Sequence, residues 1–355
     1  EAPVEEILDN FGAIDRRDDQ VVQFYEDFLD FFDKDQRKDL GAYYTVVPVV
    51  QFMVRAVDEI LRQQFSLELG IADASTWREV SKKNSFKIPK GIDADTQFVK
   101  MIDPATGTGT FLLEWIRVAK QGFVKANGGK DKDWPKHLSD HVIPNMAGLE
   151  ISLASYAVAH LKTAFEIPSG TSIPARLPIF LTNTMQPTSD NVAAQLFSDP
   201  LSEESHLADK VKSDPGVTVV IGNPPYKDKV KGEGPVVELA FRESGPLLAD
   251  FTPAASKHLG AHTKILRNRY VFFWRWALDR VFGTPQTNPG VVAFITSAAW
   301  LRGPVFETMR AYVRDGNHVW VVDLGGDLKN NVPGDENVFS QITTATTICI
   351  VSKAP

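Results

Sequence analysis

The residues Asn223-Pro224-Pro225-Tyr226 are the part of this 355-residue chain whose types and order say most about chemistry. They follow Gly222 at the end of Val217–Ile221, an apolar run with the composition of a buried strand. Two prolines in succession end a strand and remove two backbone donors, which leaves carbonyl oxygens free to face a cleft. With the Asn223 side-chain oxygen beside them, the array accepts hydrogen bonds. It can grip an NH2 group and draw its lone pair out of conjugation with a ring. Tyr226 adds an aromatic face on which a planar base can stack. The plainer alternative is a polar turn at the end of a strand.

A second stretch, Asp103-Pro104-Ala105-Thr106-Gly107-Thr108-Gly109-Thr110-Phe111, lies between an expected strand, Phe98–Ile102, and an expected helix, Thr110–Lys125. A strand, a glycine-rich turn and a helix N-terminus together form a nucleotide-type cofactor site. Asp103 at the strand end would repel a pyrophosphate but suits a ligand that carries an amino group and a sulfonium. The run also departs from the dinucleotide pattern, because its third glycine position is Leu112, and it lacks the Gly-Lys-Ser/Thr ending of a P-loop. A purely structural turn is the alternative here. The next expected strand, Met146–Leu149, ends in Glu150, a carboxylate placed to accept both ribose hydroxyls of an adenosine group.

These residues need a scaffold that brings strand ends together. After Val99 the chain alternates strand and helix, the pattern of a parallel sheet covered on both faces. Further strands are expected at Arg176–Leu181, Val291–Thr296, Val319–Leu324 and Thr346–Val351, and further helices at Leu153–Phe165, Tyr270–Phe282 and Pro304–Asp315. Ahead of the sheet, Val22, Phe24, Tyr25, Phe28, Leu29, Phe31 and Phe32 recur at helical spacing, and Pro48–Gln64 reads as a helix with Pro48 in its first turn. Asn127–Asp140 and Lys227–His262 read as loops or insertions. The expected organisation is an N-terminal helical region over residues 1–90 and a catalytic core over 91–355.

Composition sets further bounds. With 43% apolar and 23% charged residues an ordinary globular core is expected throughout. No apolar run approaches the ~20 residues of a membrane span. No signal segment opens the chain, so a cytosolic location is the expectation. Cys349 is the only cysteine, which excludes an internal disulfide and any cysteine-based zinc site, and no metal centre is expected. A net charge of −7 argues against a free-standing DNA-binding module. Positive charge nevertheless gathers at Lys227, Lys229, Lys231, Lys257, Lys264, Arg267 and Arg269, either a local DNA-contacting surface or a solvated loop.

The order Gly41-Ala42-Tyr43-Tyr44-Thr45, then Asp103 to Phe111, then Asn223 to Tyr226 resembles the motif series of gamma-type N6-adenine DNA methyltransferases. Tyr25-Glu26-Asp27-Phe28-Leu29 and Leu181-Thr182-Asn183-Thr184 are similar to the methyltransferase region of single-polypeptide Type I-like (Type ISP) restriction–modification enzymes. The resemblance implies an α/β fold, Rossmann-like, of the class I S-adenosylmethionine-dependent methyltransferases, with a mostly parallel seven-stranded sheet. It implies that Tyr43, Tyr44 and Thr45 close over the methionine part of S-adenosyl-L-methionine. Asp103, Pro104, Ala105, Thr106, Gly107 and Gly109 would line the methionine and ribose. Glu150 would bind the ribose hydroxyls, Ile151 would pack on the cofactor adenine, and Asn183 would accept from its amine, where many relatives carry Asp. Asn223 and the Pro224 carbonyl would grip the target amine, Pro225 completes the turn, and Tyr226 would stack on the flipped base. Phe339 is the candidate for the other side of that base, with a core phenylalanine as the alternative.

The implied substrate is double-stranded DNA, within a restriction–modification or phage-defence system in a prokaryotic cytoplasm. Further domains of the same polypeptide are expected, including target recognition beyond Pro355, and Glu1 in place of Met suggests an excised piece. Rival readings are a protein glutamine or RNA guanine methyltransferase, which also use Asn-Pro-Pro-Tyr, and a non-catalytic subunit that binds cofactor and DNA. Carbon methylation of cytosine needs a thiolate, and Cys349 sits mid-strand, away from any Pro-Cys turn.

Overall fold

The computed structural model describes residues 45–173, 176–188, 200–227, 230–239, 245–253, 260–327, 337–339 and 344–355. The expected helix around Val22 to Phe32, together with Tyr43, Tyr44, Lys229 and Lys257, lies outside these described residues. Strands form where branched and aromatic residues run consecutively, as they do in a sheet buried on both faces. They are β1 (Met101–Asp103), β2 (Met146–Glu150), β3 (Ile179–Leu181), β4 (Val219–Gly222), β5 (Gly290–Ser297), β6 (His318–Gly325) and β7 (Thr346–Lys353).

The seven strands form one sheet in the order β3-β2-β1-β4-β5-β7-β6. β1 to β5 are parallel, and β7 inserts antiparallel between β5 and β6. The expected mostly parallel seven-stranded sheet is therefore present, with strand ends shifted by a few residues. β1, for instance, begins at Met101 rather than Phe98. Phe98 and Lys100 instead engage a side chain: the buried Thr218 hydroxyl donates to the Phe98 carbonyl at 2.7 Å and accepts from the Lys100 N–H at 3.1 Å.

Alternation along the strands divides the interior in two. Met101, Val219, Ile221, Val291 and Ala293 pack into one core; Ile102, Val220, Val292 and Phe294 pack into the other. The first core is closed by α1 (Val47–Phe65), α2 (Trp77–Asn84) and α3 (Thr110–Ala126), through Val50, Met53, Val57, Trp77 and Trp115. α1 starts as expected, with Pro48 in its first turn and an apolar stripe of Val49, Val50, Met53, Val54, Val57, Ile60 and Leu61. α4 (Leu153–Glu166) and α5 (Pro200–Ser213) flank β3, while α6 (Arg269–Phe282) and α7 (Glu307–Arg314) close the second core. Arg275 in α6 is completely buried because it donates to the Leu247 carbonyl at 3.0 Å and to Asp250 at 2.7 Å.

Two helices were not expected. α2 begins at Thr76, whose hydroxyl accepts from the Glu79 N–H while Glu79 accepts from the Thr76 N–H, a reciprocal cap. α5 lacks a strong apolar stripe in its sequence, Pro-Leu-Ser-Glu-Glu-Ser-His-Leu-Ala-Asp-Lys-Val-Lys-Ser. The expected loop over 127–140 contains a short helix, Trp134–His137, and the one over 227–262 contains Pro235–Glu238 and Leu247–Phe251. The helix expected from Pro304 opens instead as a 3-10 turn, Pro304–Phe306, before α7. No described helix is long and apolar enough to cross a membrane.

Thr218→Val keeps the volume but leaves the Lys100 N–H and the Phe98 carbonyl without this partner. Urea unfolding should show a loss of ~1–3 kcal/mol, the cost of buried polar groups left unpaired. An unchanged midpoint would mean that other groups satisfy them.

Candidate active site

The strand order reverses direction between β1 and β4, and the crevice beyond their carboxyl ends is where an open α/β sheet accepts a ligand. A cavity of about 440 Å3 lies there. Its lining comes from the glycine turn after β1, the end of β2, residues 182–186 after β3, and Asn223 and Pro225 after β4. Thr45, just before α1, completes this part of the wall.

The glycine turn is built around two carboxylates. Gly107 and Gly109 take left-handed φ values of 55° and 85°, which a side chain would disfavour. The Glu150 carboxylate at the tip of β2 accepts from the Gly107 N–H at 2.7 Å, the Ile151 N–H at 2.9 Å and the Ser152 N–H at 2.7 Å. Of the roughly four lone-pair positions of a carboxylate, these bonds take three, and Glu150 lines the cavity. Burial pushes the Glu150 carboxyl above its ordinary pKa, against the pull of those three N–H groups.

Asp103 is the converse case. It is fully buried; its Oδ1 accepts from the Ala105 N–H at 3.1 Å, and its Oδ2 has no hydrogen-bond partner among the described residues. Desolvation raises its pKa to about 8. Gly222 permits this burial, since a Cβ there would stand 2.7 Å from Asp103 Oδ1. A buried carboxylate oxygen beside the turn, without a donor, suits a ligand that brings an ammonium group. Ile151, 51% exposed at the cavity, offers an apolar surface to a planar ring. Together with the remaining Glu150 lone pair, these features fit an adenosine-bearing amino acid cofactor.

On the other side, Asn223 is held by two hydroxyls. Its Nδ2 donates to Thr45 Oγ1 at 3.0 Å, and its Oδ1 accepts from the Tyr226 hydroxyl at 2.8 Å. Pro225 lines the cavity, while Pro224 is buried. The Tyr226 ring is half-buried between the two cores and meets Tyr270 edge-on at 6.4 Å. The structure thus brings Thr45, Pro104, Ala105, Thr106, Gly107, Glu150, Ile151, Asn183, Asn223 and Pro225 around one cavity.

Other expected residues sit differently. Gly109 is the N-cap of α3, packed 3.3 Å (from where its Cβ would be) against Ala159. Asn183 lines the cavity, and its oxygen accepts from the Met185 N–H at 2.9 Å. Phe339 is 3% exposed in the first core and is not part of the cavity wall, the placement of a core phenylalanine. Cys349 is buried in β7, where desolvation pushes its thiol up and away from the thiolate form. Glu233, Arg269 and Phe273 also line the cavity. Sequence reading missed their role, although Arg269 falls in the basic stretch already noted. Among the described residues no cluster of His, Cys, Asp and Glu could hold a metal ion.

This sheet order and site define a Rossmann-like class I methyltransferase fold. No family model matches the chain, and no curated protein matches it. Among solved structures it is similar to the Type ISP restriction–modification enzyme LlaBIII bound to DNA, with a TM-score of 0.67 and 22% identity over 94% of this chain and 21% of that one. It is similar to DrdV in a DNA complex, with a TM-score of 0.60 and 21% identity over 93% of this chain and 28% of that one. A nuclease-deletion mutant of the Type ISP enzyme LlaGI, in complex with a DNA substrate mimic, gives 0.58 and 19% over 88% of this chain and 23% of that one. The likeness is one of fold, and it agrees with the Type ISP resemblance of the motifs. The chain spans between about a fifth and under a third of the length of these three enzymes.

Asp103 makes stability depend on pH. Its folded pKa, about 8, lies above the ordinary 3.8, so its contribution is fully present below 3.8 and is lost as pH rises through 8. Asp103→Asn, which cannot ionise, should lose less stability than the parent between pH 5 and about 8.5 in thermal unfolding without ligand. Parallel curves for the two proteins would show that Asp103 is solvated or already paired.

Proposed function

We propose that the chain transfers a methyl group from S-adenosyl-L-methionine to the exocyclic amine of an adenine swung out of duplex DNA, as the modification part of a restriction–modification system. The observation that carries this reading is one cavity lined by the glycine turn from Pro104 to Thr108, by Glu150 and by Asn223, with Asp103 buried directly behind the turn. The fold shared with DNA-bound restriction–modification enzymes supports it. When bound, the cofactor supplies an electrophilic methyl on a positively charged sulfur.

Each protein group then has a physical task. Asp103 Oδ2 would take the ammonium of the cofactor, and the remaining lone pair of the Glu150 carboxylate would take one ribose hydroxyl rather than both. Ile151 would support the cofactor adenine, and the Asn183 NH2 would donate to a ring nitrogen of it. The target amine must leave the duplex, because N6 is buried in pairing and stacking. Asn223 Oδ1 and the Pro224 carbonyl would accept its two N–H groups and turn the nitrogen lone pair toward the methyl. Thr45 holds the opposite end of the amide, so the oxygen keeps its direction. The N–C bond forms as the S–C bond breaks, and the surplus proton on the amine leaves to water. Positioning and polarisation do the work, and no covalent intermediate on the protein is needed.

Methyl transfer from labelled cofactor to duplex DNA, RNA and a release-factor peptide tests the substrate class; label recovered as N6-methyladenine is the expected result. Asn223→Ala should cost roughly 100–1000-fold in rate, the scale for removing one preorganised polar group, with cofactor affinity nearly unchanged by calorimetry. Glu150→Ala should weaken cofactor binding by ~1.5–3 kcal/mol. Tyr226→Ala should lose a stacking contact of ~1–3 kcal/mol, seen with a fluorescent adenine analogue, whereas Tyr226→Phe keeps the face and frees Asn223. Parental turnover by Asn223→Ala would remove Asn223 from the active site.

A further inference from the structure

One feature of the cavity wall is unused by this chemistry: a carboxylate shared by two cations beside the catalytic turn. Glu233 lines the cavity and pairs with Arg269, which lines it too, and with Lys227 at 3.4 Å. Lys227 directly follows Tyr226, and the Arg269 N–H donates to the Lys227 carbonyl at 2.9 Å, so the two cations are held by one backbone contact. Among the described residues Arg269 is the only Lys or Arg in the cavity lining. The turn that carries Glu233 is held from behind: Glu238 accepts from the Gly232 N–H at 2.7 Å and the Gly234 N–H at 3.2 Å. Glu233 itself is 39% exposed, so a ligand can reach it.

A base that leaves the duplex turns about its own backbone and brings its flanking phosphates to the mouth of the pocket. Those phosphates need cations at fixed positions. A guanidinium can grip a phosphate with two parallel N–H bonds, and an ammonium can add a point charge. Without nucleic acid, two cations side by side would repel each other, and a carboxylate between them removes that cost. We propose that Lys227 and Arg269 form the binding site for a DNA phosphodiester next to the extruded base, and that Glu233 is its built-in anionic stand-in, displaced when DNA binds. This rests on the DNA reading above and assigns the contact to named residues.

The experiment measures binding of a fluorescein-labelled duplex oligonucleotide by anisotropy across a salt series, with cofactor present. Glu233→Gln removes the competing charge and should tighten binding by up to about fivefold, the scale of an exposed ion pair. Arg269→Gln and Lys227→Gln should each weaken it and reduce the slope of log affinity against log salt by about 1. Arg78→Gln breaks an exposed pair with Asp95 outside the cavity and should change neither quantity. Thermal midpoints of the variants separate lost folding from lost contacts. Unchanged or weaker binding by Glu233→Gln, with the parent chain binding DNA, overturns this proposal and leaves the DNA reading intact. Inorganic phosphate that displaces the duplex at constant ionic strength and equal phosphate concentration would assign the pair to a free anion and overturn it. A parent chain that binds no duplex at any salt overturns both readings.

Discussion

The Glu150 carboxylate is the fixed point of the site. Three N–H groups converge on it, from the glycine turn after β1 and from the start of the segment after β2. The Ile151 and Ser152 N–H groups lie between the end of β2 and the start of α4, and the Gly107 N–H lies in the turn before α3, where the backbone has no ladder of its own. One buried carboxylate therefore ties the position of the turn to β2 and the start of α4. A side chain with a different acceptor pattern would leave donors stranded in a buried place. The turn conformation, with left-handed Gly107 and Gly109, is the backbone path that lets the Gly107 N–H reach it.

The sheet order explains why these parts meet. Strands β1, β2 and β3 are laid down in one direction and β4, β5 in the other, so the carboxyl ends of β1 and β4 part to open a crevice. Asp103 ends β1 and Asn223 follows β4, so the two strand ends bring them near each other although 120 positions separate them in sequence. The N-terminal piece belongs to the same arrangement. α1 buries its apolar stripe in the first core, and that packing places Thr45 against Asn223, a contact spanning 178 residues.

What could be read from the sequence follows the range of the interactions. The strands, the glycine turn and the Asn-Pro-Pro-Tyr element announce themselves locally, through apolar runs, glycines and prolines. α2 was equally local: Thr76 and Glu79 have the spacing of a reciprocal cap, but the helix carries only two buried residues, Trp77 and Val80, so periodicity did not reveal it. α5 has little apolar pattern to read. The pairing of Glu233 with Arg269 and the burial of Phe339 depend on tertiary contacts that no local pattern encodes. Residue type alone also left the orientation of Tyr226 open, because a tyrosine can present a face or a hydroxyl, and here the hydroxyl is engaged.

The two halves of the cavity rest in opposite states. Around Asn223 both polar atoms of the amide have a partner, Thr45 for the nitrogen and Tyr226 for the oxygen. Behind the glycine turn Asp103 Oδ2 is buried without a donor among the described residues, and burial raises the pKa of the carboxyl to about 8. An unsatisfied buried oxygen costs free energy that a cationic ligand recovers, whereas a satisfied amide must first give up a hydrogen bond. The same contrast separates Glu233, which neutralises two cations at the rim, from an open cationic surface. Net charge over the chain is therefore a poor guide to what this cavity attracts: the −7 of the whole describes its solvated surface, while the site is governed by which few charges already have partners.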